Sequence, residues 1–112
     1  MSERSFICEW QNLSAEIHSL AVSKGWWDKD RNDGEIIALC HSELSEALEG
    51  LRDGNPPSDK IPKFSTVEEE LADCVIRILD WGIMRKFNIA GAILAKHEFN
   101  KTRSFRHGGK KF

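Results

Sequence analysis

The 112-residue chain has no run of 18 or more apolar residues, and its opening segment, MSERSF, lacks the apolar core of a signal peptide. This pattern argues against a membrane-spanning helix or an export signal and makes the cytoplasm the expected compartment. Cys-x-x-Cys is absent, and Cys8, Cys40 and Cys74 are odd in number, widely spaced and each set within a helical pattern. Buried, reduced thiols are therefore expected rather than disulfides or a zinc site. There is no phosphate-binding Gly-rich loop ending in Lys-Ser/Thr and no Gly-x-Ser-x-Gly, so any phosphate would have to be held by metal and basic side chains. Strand-type alternation and internal repeats are also missing.

What is present suits one small soluble domain over residues 1–112, with 40% of the residues hydrophobic and 30% charged. So short a chain buries a modest core, and a homodimer or homotetramer is the expected source of further stability. The net charge of −2 is unevenly spread. Residues 101–112 hold five Lys or Arg plus His107 and no acid, whereas the preceding hundred hold eighteen acidic against eleven basic residues. An acidic body with a basic tail (about 104–112) argues against nucleic acid as the main partner, and no membrane partner is expected. It suits a small polyanion held between a metal and the tail.

Hydrophobic spacing predicts four helices. Phe6, Trp10, Leu13, Ile17 and Leu20 mark a buried stripe on a first helix from Ser5 to about Lys24, closed by Gly25. Trp26 and Trp27 open a polar loop, either as packing residues or as a flat wall for a nucleobase. A second helix runs from about Glu35 to Arg52, with Ile36, Ile37, Cys40, Leu44, Ala47, Leu48 and Leu51 in one apolar sector. Gly54, Pro56 and Pro57 end it, and the connection to Ser65 is the expected mobile loop. The third helix begins with Ser65 or Thr66 as cap, carries Val67, Leu71, Cys74, Val75, Ile78 and Trp81 on its apolar side, and ends near Arg85 to Asn88. A fourth follows from Ile89 to about Thr102. The expected architecture is an all-α, four-helix-bundle-type domain, completed by oligomerisation.

Two acidic pairs stand out, Glu43-x-x-Glu46 and Glu70-x-x-Asp73. Spacing of i, i+3 projects both carboxylates of a pair from one helix face, and antiparallel helices would bring four together. Glu43 falls inside an apolar border and Glu46 on its edge, while Glu70, Asp73, Arg77 and Asp80 form a stripe beside the apolar side of the third helix. That stripe reads as a site or as a salt-bridge ladder. Glu49, Glu68 and Glu69 fall elsewhere and read as ordinary solubilising or helix-dipole acids. A di-iron centre would need Glu-x-x-His on two helices, which neither pair provides, so oxygen-only ligation favours magnesium, with manganese as the alternative.

The combination Glu43-x-x-Glu46, twenty-three intervening residues, Glu70-x-x-Asp73, then Lys96-His-Glu-Phe-Asn100-Lys-Thr-Arg103 and a closing His107-Gly-Gly-Lys resembles the MazG-like nucleotide pyrophosphohydrolases of the all-α NTP pyrophosphatase superfamily. The likeness runs from about Glu35 onward. It implies magnesium-dependent hydrolysis of a nucleoside triphosphate to monophosphate and pyrophosphate, in nucleotide-pool housecleaning or a related reaction. By that resemblance, Glu43, Glu46, Glu70 and Asp73 would be the catalytic, metal-holding acids. Lys96, Asn100 and Arg103 would contact phosphate or sugar, and Trp27 is a candidate for the base pocket. The alternative is a non-catalytic helical oligomerisation or partner-binding module whose acidic stripes form interface salt bridges.

Overall fold

The computed structural model describes residues 2–105, and among these the chain is all-α, with four helices and no strand. They are α1 (Glu3–Ser23), α2 (Asp33–Arg52), α3 (Thr66–Arg85) and α4 (Ile89–Asn100). Each starts where a short polar side chain can accept an otherwise unpaired amide hydrogen. Ser2, Asn32, Ser65 and Asn88 accept from Ser5, Glu35, Glu68 and Gly91, and Glu68 returns the bond to the Ser65 amide. Such caps contribute about 1 kcal/mol each. The Asn32 cap starts α2 two residues earlier than its apolar pattern predicts, because Asp33 and Gly34 need no inward face to join the first turn.

Gly54 and Asn55, at φ 86° and 53°, reverse the chain after α2. The connection that follows, expected from the sequence to be a mobile loop, is hydrogen-bonded at several points. Thr66 donates to the Pro56 carbonyl through both its amide and its hydroxyl at 2.8 Å, and Asn55 Oδ1 accepts from the Val67 amide at 3.0 Å. Ser58, 2% exposed, accepts from the amides of Lys60 and Ile61. Proline ended the helix as expected, but the polar residues beside it anchor the loop to the start of α3.

The helices pack as a series, α2 on α3, α3 on α1 and α1 on α4. Close approach of α2 to α3 depends on Gly50, where a Cβ would lie 2.9 Å from Thr66 Cγ2. The buried residues are few: Ile36, Cys40, Ala47, Cys74, Leu79 and Ala90 among the hydrophobics. The radius of gyration is 16.5 Å, against roughly 13 Å for a compact domain of this length. A single chain is therefore an open layer rather than a closed bundle.

That openness corrects three expectations of burial. On α1 the stripe sinks only in part: Phe6, Trp10 and Ile17 are half-buried, Leu13 and Leu20 are 49% and 60% exposed, and the buried residue is Ser14. Cys8 is exposed, while Cys40 and Cys74 are buried as expected. On α2 the apolar sector splits. Ile36, Cys40 and Ala47 face α3, and Ile37, Leu44, Leu48 and Leu51 remain exposed. No helix among the described residues is long and apolar enough to cross a membrane. Residues 106–112, with the Gly108-Gly109 pair and most of the basic tail, lie outside the described residues.

Candidate metal and nucleotide site

Because α2 and α3 run antiparallel, their acidic pairs meet midway along the hairpin. Ligand oxygens of Glu43, Glu46 and Glu70 lie within 4.8 Å of one another, and so do those of Glu69, Glu70 and Asp73. Glu70 belongs to both groups and joins them. Glu43 is buried and its Oε1 accepts from Arg77 Nε and Nη2 at 3.3 and 3.2 Å, so one cation already sits on the apolar side of the cluster. Glu46 is on the exposed side.

The electrostatics of this cluster are unfavourable as it stands. Burial, then the proximity of Glu46 and Glu43, pushes the Glu70 carboxyl up to about 8. Asp73 is also raised, by burial and then by the charges of Glu43 and Glu69. Among the described residues, Glu70 Oε2 is covered and has no hydrogen-bond partner. A buried acceptor left unpaired among like charges costs free energy unless a proton or a cation joins it. The donor set is all oxygen, which fits magnesium or manganese rather than a softer ion.

Glu69 is the acid that the helical pattern placed elsewhere. Its i, i+4 relation to Asp73 was the available signal, because residues four apart are neighbours on a helix surface. Ser58 Oγ donates to Glu69 Oε1 at 2.6 Å, and Lys60 Nζ lies 3.9 Å from Oε2. The anchored loop thus sets the orientation of a carboxylate in the cluster.

The carboxylates of Glu43, Glu46, Glu70 and Asp73 line a cavity of about 660 Å³ between α1, α2 and α3. Trp26, Trp27, Ile17 and Leu20 line it as well, with Lys24, Lys60, Arg77 and Asp80 among them. The tryptophan turn is held in place from below. Arg85 donates to Asp33 Oδ1 and to the Arg31 carbonyl, both at 2.7 Å, and Trp81 Nε1 donates to the same Asp33 oxygen at 3.0 Å. The bonds to Asp33 from Arg85 and then Trp81 hold its carboxyl below the usual carboxylate range.

The stripe on α3 divides between two partners. Arg77 pairs with Glu43, and Asp80 turns instead towards α1 and the tryptophans, where it meets His18 and Trp27. Lys96, Asn100 and Arg103 are not brought to the cavity. Lys96 and Arg103 lie over the Phe99 ring, at 4.9 and 5.7 Å, and Asn100 is exposed. Among the described residues the structure therefore joins the four predicted acids and Trp27 in one cavity and leaves the basic row outside it.

Comparison of the chain with protein-family models, with curated proteins and with solved structures finds no match.

Proposed function

We propose that the chain is a magnesium-dependent nucleoside triphosphate pyrophosphohydrolase, a hydrolase of the MazG-like kind that its acidic pairs and late basic row resemble. The observation that carries this reading is Glu70 Oε2, a covered and unpartnered carboxylate oxygen where two groups of acids meet. Glu43, Glu46, Glu70 and Asp73 would hold the ion, with Glu69 at its margin. A bound divalent cation there supplies Lewis-acid polarisation of a phosphoryl oxygen and lowers the pKa of attacking water. The chain's own contribution is to line one cavity with both carboxylates and tryptophans, so that a triphosphate and its base each have a group to bind. A carboxylate of the cluster accepts the proton of the attacking water. Arg77 orients Glu43 through its two bonds.

Lys96, Asn100 and Arg103 retain a role at phosphate only if a second copy supplies them, since their own chain holds them away from the cavity. Self-association in a homodimer or homotetramer is part of the proposal, and the exposed Ile37, Leu44, Leu48 and Leu51 support it. The same residues favour a second reading, a non-catalytic oligomerisation or partner-binding module. The two are separated by incubating the protein with canonical and modified nucleoside triphosphates, with magnesium or chelator, and measuring pyrophosphate against orthophosphate. The enzyme reading expects magnesium-dependent pyrophosphate, lost in Glu43→Ala and Asp73→Ala with folding retained. The module reading expects no turnover, no metal binding by calorimetry, and an oligomer loosened by the same substitutions.

A further inference from the structure

We infer that Asp80 and His18 are positioning residues that fix Trp27 as the base-facing wall of the cavity, and that they control how tightly a nucleobase is held. This inference rests on the reading of the cavity as a nucleotide site. Three separate segments meet at the Asp80 carboxylate, which is 6% exposed. Trp27 Nε1 donates to both carboxylate oxygens at 3.0 Å, and His18 Nδ1 lies 2.7 Å from Oδ1. The carboxylate oxygens face the indole N–H and the imidazole Nδ1 together, so one acidic side chain ties the turn to α1.

A buried carboxylate is a costly way to fill space, because it must be bonded on every side. What it supplies here is direction. An indole has two rotatable side-chain bonds, and fixing its N–H on a buried acceptor removes the freedom of both, so the plane of the ring is set before a ligand arrives. Trp26 is not equivalent. The Arg31 guanidinium lies 3.7 Å from its ring centre and that of Arg77 5.0 Å, so cations already occupy its stacking surface. Among the described residues, the cation and the ring beside Trp27 lie farther off. The Arg85 guanidinium is 5.9 Å away and the His18 ring 6.1 Å away, tilted by 55°. Of the two adjacent tryptophans, Trp27 has the ring less crowded by cations, and the Asp80–His18 pair behind it determines where that ring points.

The test is calorimetric binding to the full chain with magnesium, using the four deoxynucleoside 5′-(α,β-imido)triphosphates and, as the base-free probe, inorganic triphosphate. His18→Ala and Asp80→Asn are expected to weaken the tightest of the four nucleotides about tenfold, the scale of one base–aromatic stack, with inorganic triphosphate changed less than twofold. Trp27→Phe keeps a ring without its anchor and is expected to show the same selective loss. His18→Asn places an amide donor where Nδ1 stood and is expected to restore most of the affinity. Equal weakening of nucleotide and inorganic triphosphate, with a lowered melting temperature, would make the network a structural clamp and overturn the inference. Wild-type protein that binds inorganic triphosphate as tightly as every nucleotide would overturn it too, while leaving the phosphate site intact. Wild-type protein that binds none of the five probes removes the nucleotide reading and this inference with it.

Discussion

Glu70→Gln and a rise in pH through 8 act on the same quantity, the proton that the carboxylate cluster must lose before it can take a divalent cation. Partial burial and the crowding of Glu46 and Glu43 push the Glu70 carboxyl up to about 8. At pH 7 such a group holds roughly 0.9 of a proton, at pH 8 about 0.5 and at pH 9 about 0.1. Cation binding should release these fractions, and Asp73, raised by burial and by Glu43, adds in the same direction. The apparent magnesium affinity should therefore climb almost tenfold per pH unit from pH 6 to about 7.5 and level off above 8. Calorimetry in buffers of different ionisation enthalpy counts the released protons directly. The sign for stability is opposite to that of an ordinary paired acid. Between the unfolded value near 4.5 and the folded value near 8 the native state holds more protons, so the metal-free protein should lose stability as pH rises across that window. Magnesium should restore it. In Glu70→Gln the proton release should nearly vanish, the affinity should be weaker and flatter with pH, and the metal-free protein should melt higher at pH 8. Release of no proton from the wild type at pH 7, or an unchanged pH slope in the variant, would refute the account of a crowded, unpaired carboxylate.

Three further substitutions test the scaffold. Gly50→Ala gains helix propensity yet places a Cβ 2.9 Å from Thr66 Cγ2, so a net loss of about 1–3 kcal/mol is expected on thermal melting. Ser58→Ala removes the 2.6 Å bond to Glu69 and the acceptor for two loop amides, which should cost about 1–2 kcal/mol in urea denaturation. Leu48→Glu puts a charge on the exposed apolar side of α2 and should shift the protein to monomer in sedimentation velocity with helicity unchanged. An oligomer that survives it would mean that this face is not where copies meet.

The helices and the acid pairs were legible because both depend on local spacing. A period near 3.6 and the polar residues at each start define α2 and α3 to within two residues, and i, i+3 spacing selects Glu43 with Glu46 and Glu70 with Asp73. Glu69 was missed because apolar sectors are drawn for one helix at a time, whereas its place depends on Ser58 in the neighbouring loop. His18 and Asp80 are 62 positions apart, and nothing local marks either as the other's partner. The basic row shows the converse. Lys96, Asn100 and Arg103 share a face as their spacing requires, but which surface that face meets is decided by α4 packing on α1. Exposure was the least legible property, since a pattern tells which residues are apolar and not whether one chain has enough partners to cover them.

The angular order of α2 explains how one chain can carry both an open acidic cavity and an uncovered apolar side. At about 100° per residue, Ile36, Cys40 and Ala47 centre the sector that meets α3. Ile37, Leu44, Leu48 and Leu51 are turned from it to one side, and Glu43 and then Glu46 are turned to the other. On α3, Leu71 and Val75 are exposed and turned in the same rotational sense from Cys74, while Glu70 and Asp73 are turned in the opposite sense. Because the helices are antiparallel, equal rotational senses fall on one side of the pair. The hairpin thus has an apolar side and a carboxylate side, back to back across a thin core containing Cys40 and Cys74. A second copy seated on the apolar side would bury Leu44, Leu48, Leu71 and Val75 without covering Glu46 or the mouth of the cavity. It would also brace the two helices whose like charges push them apart, and so hold the acids in place for a cation.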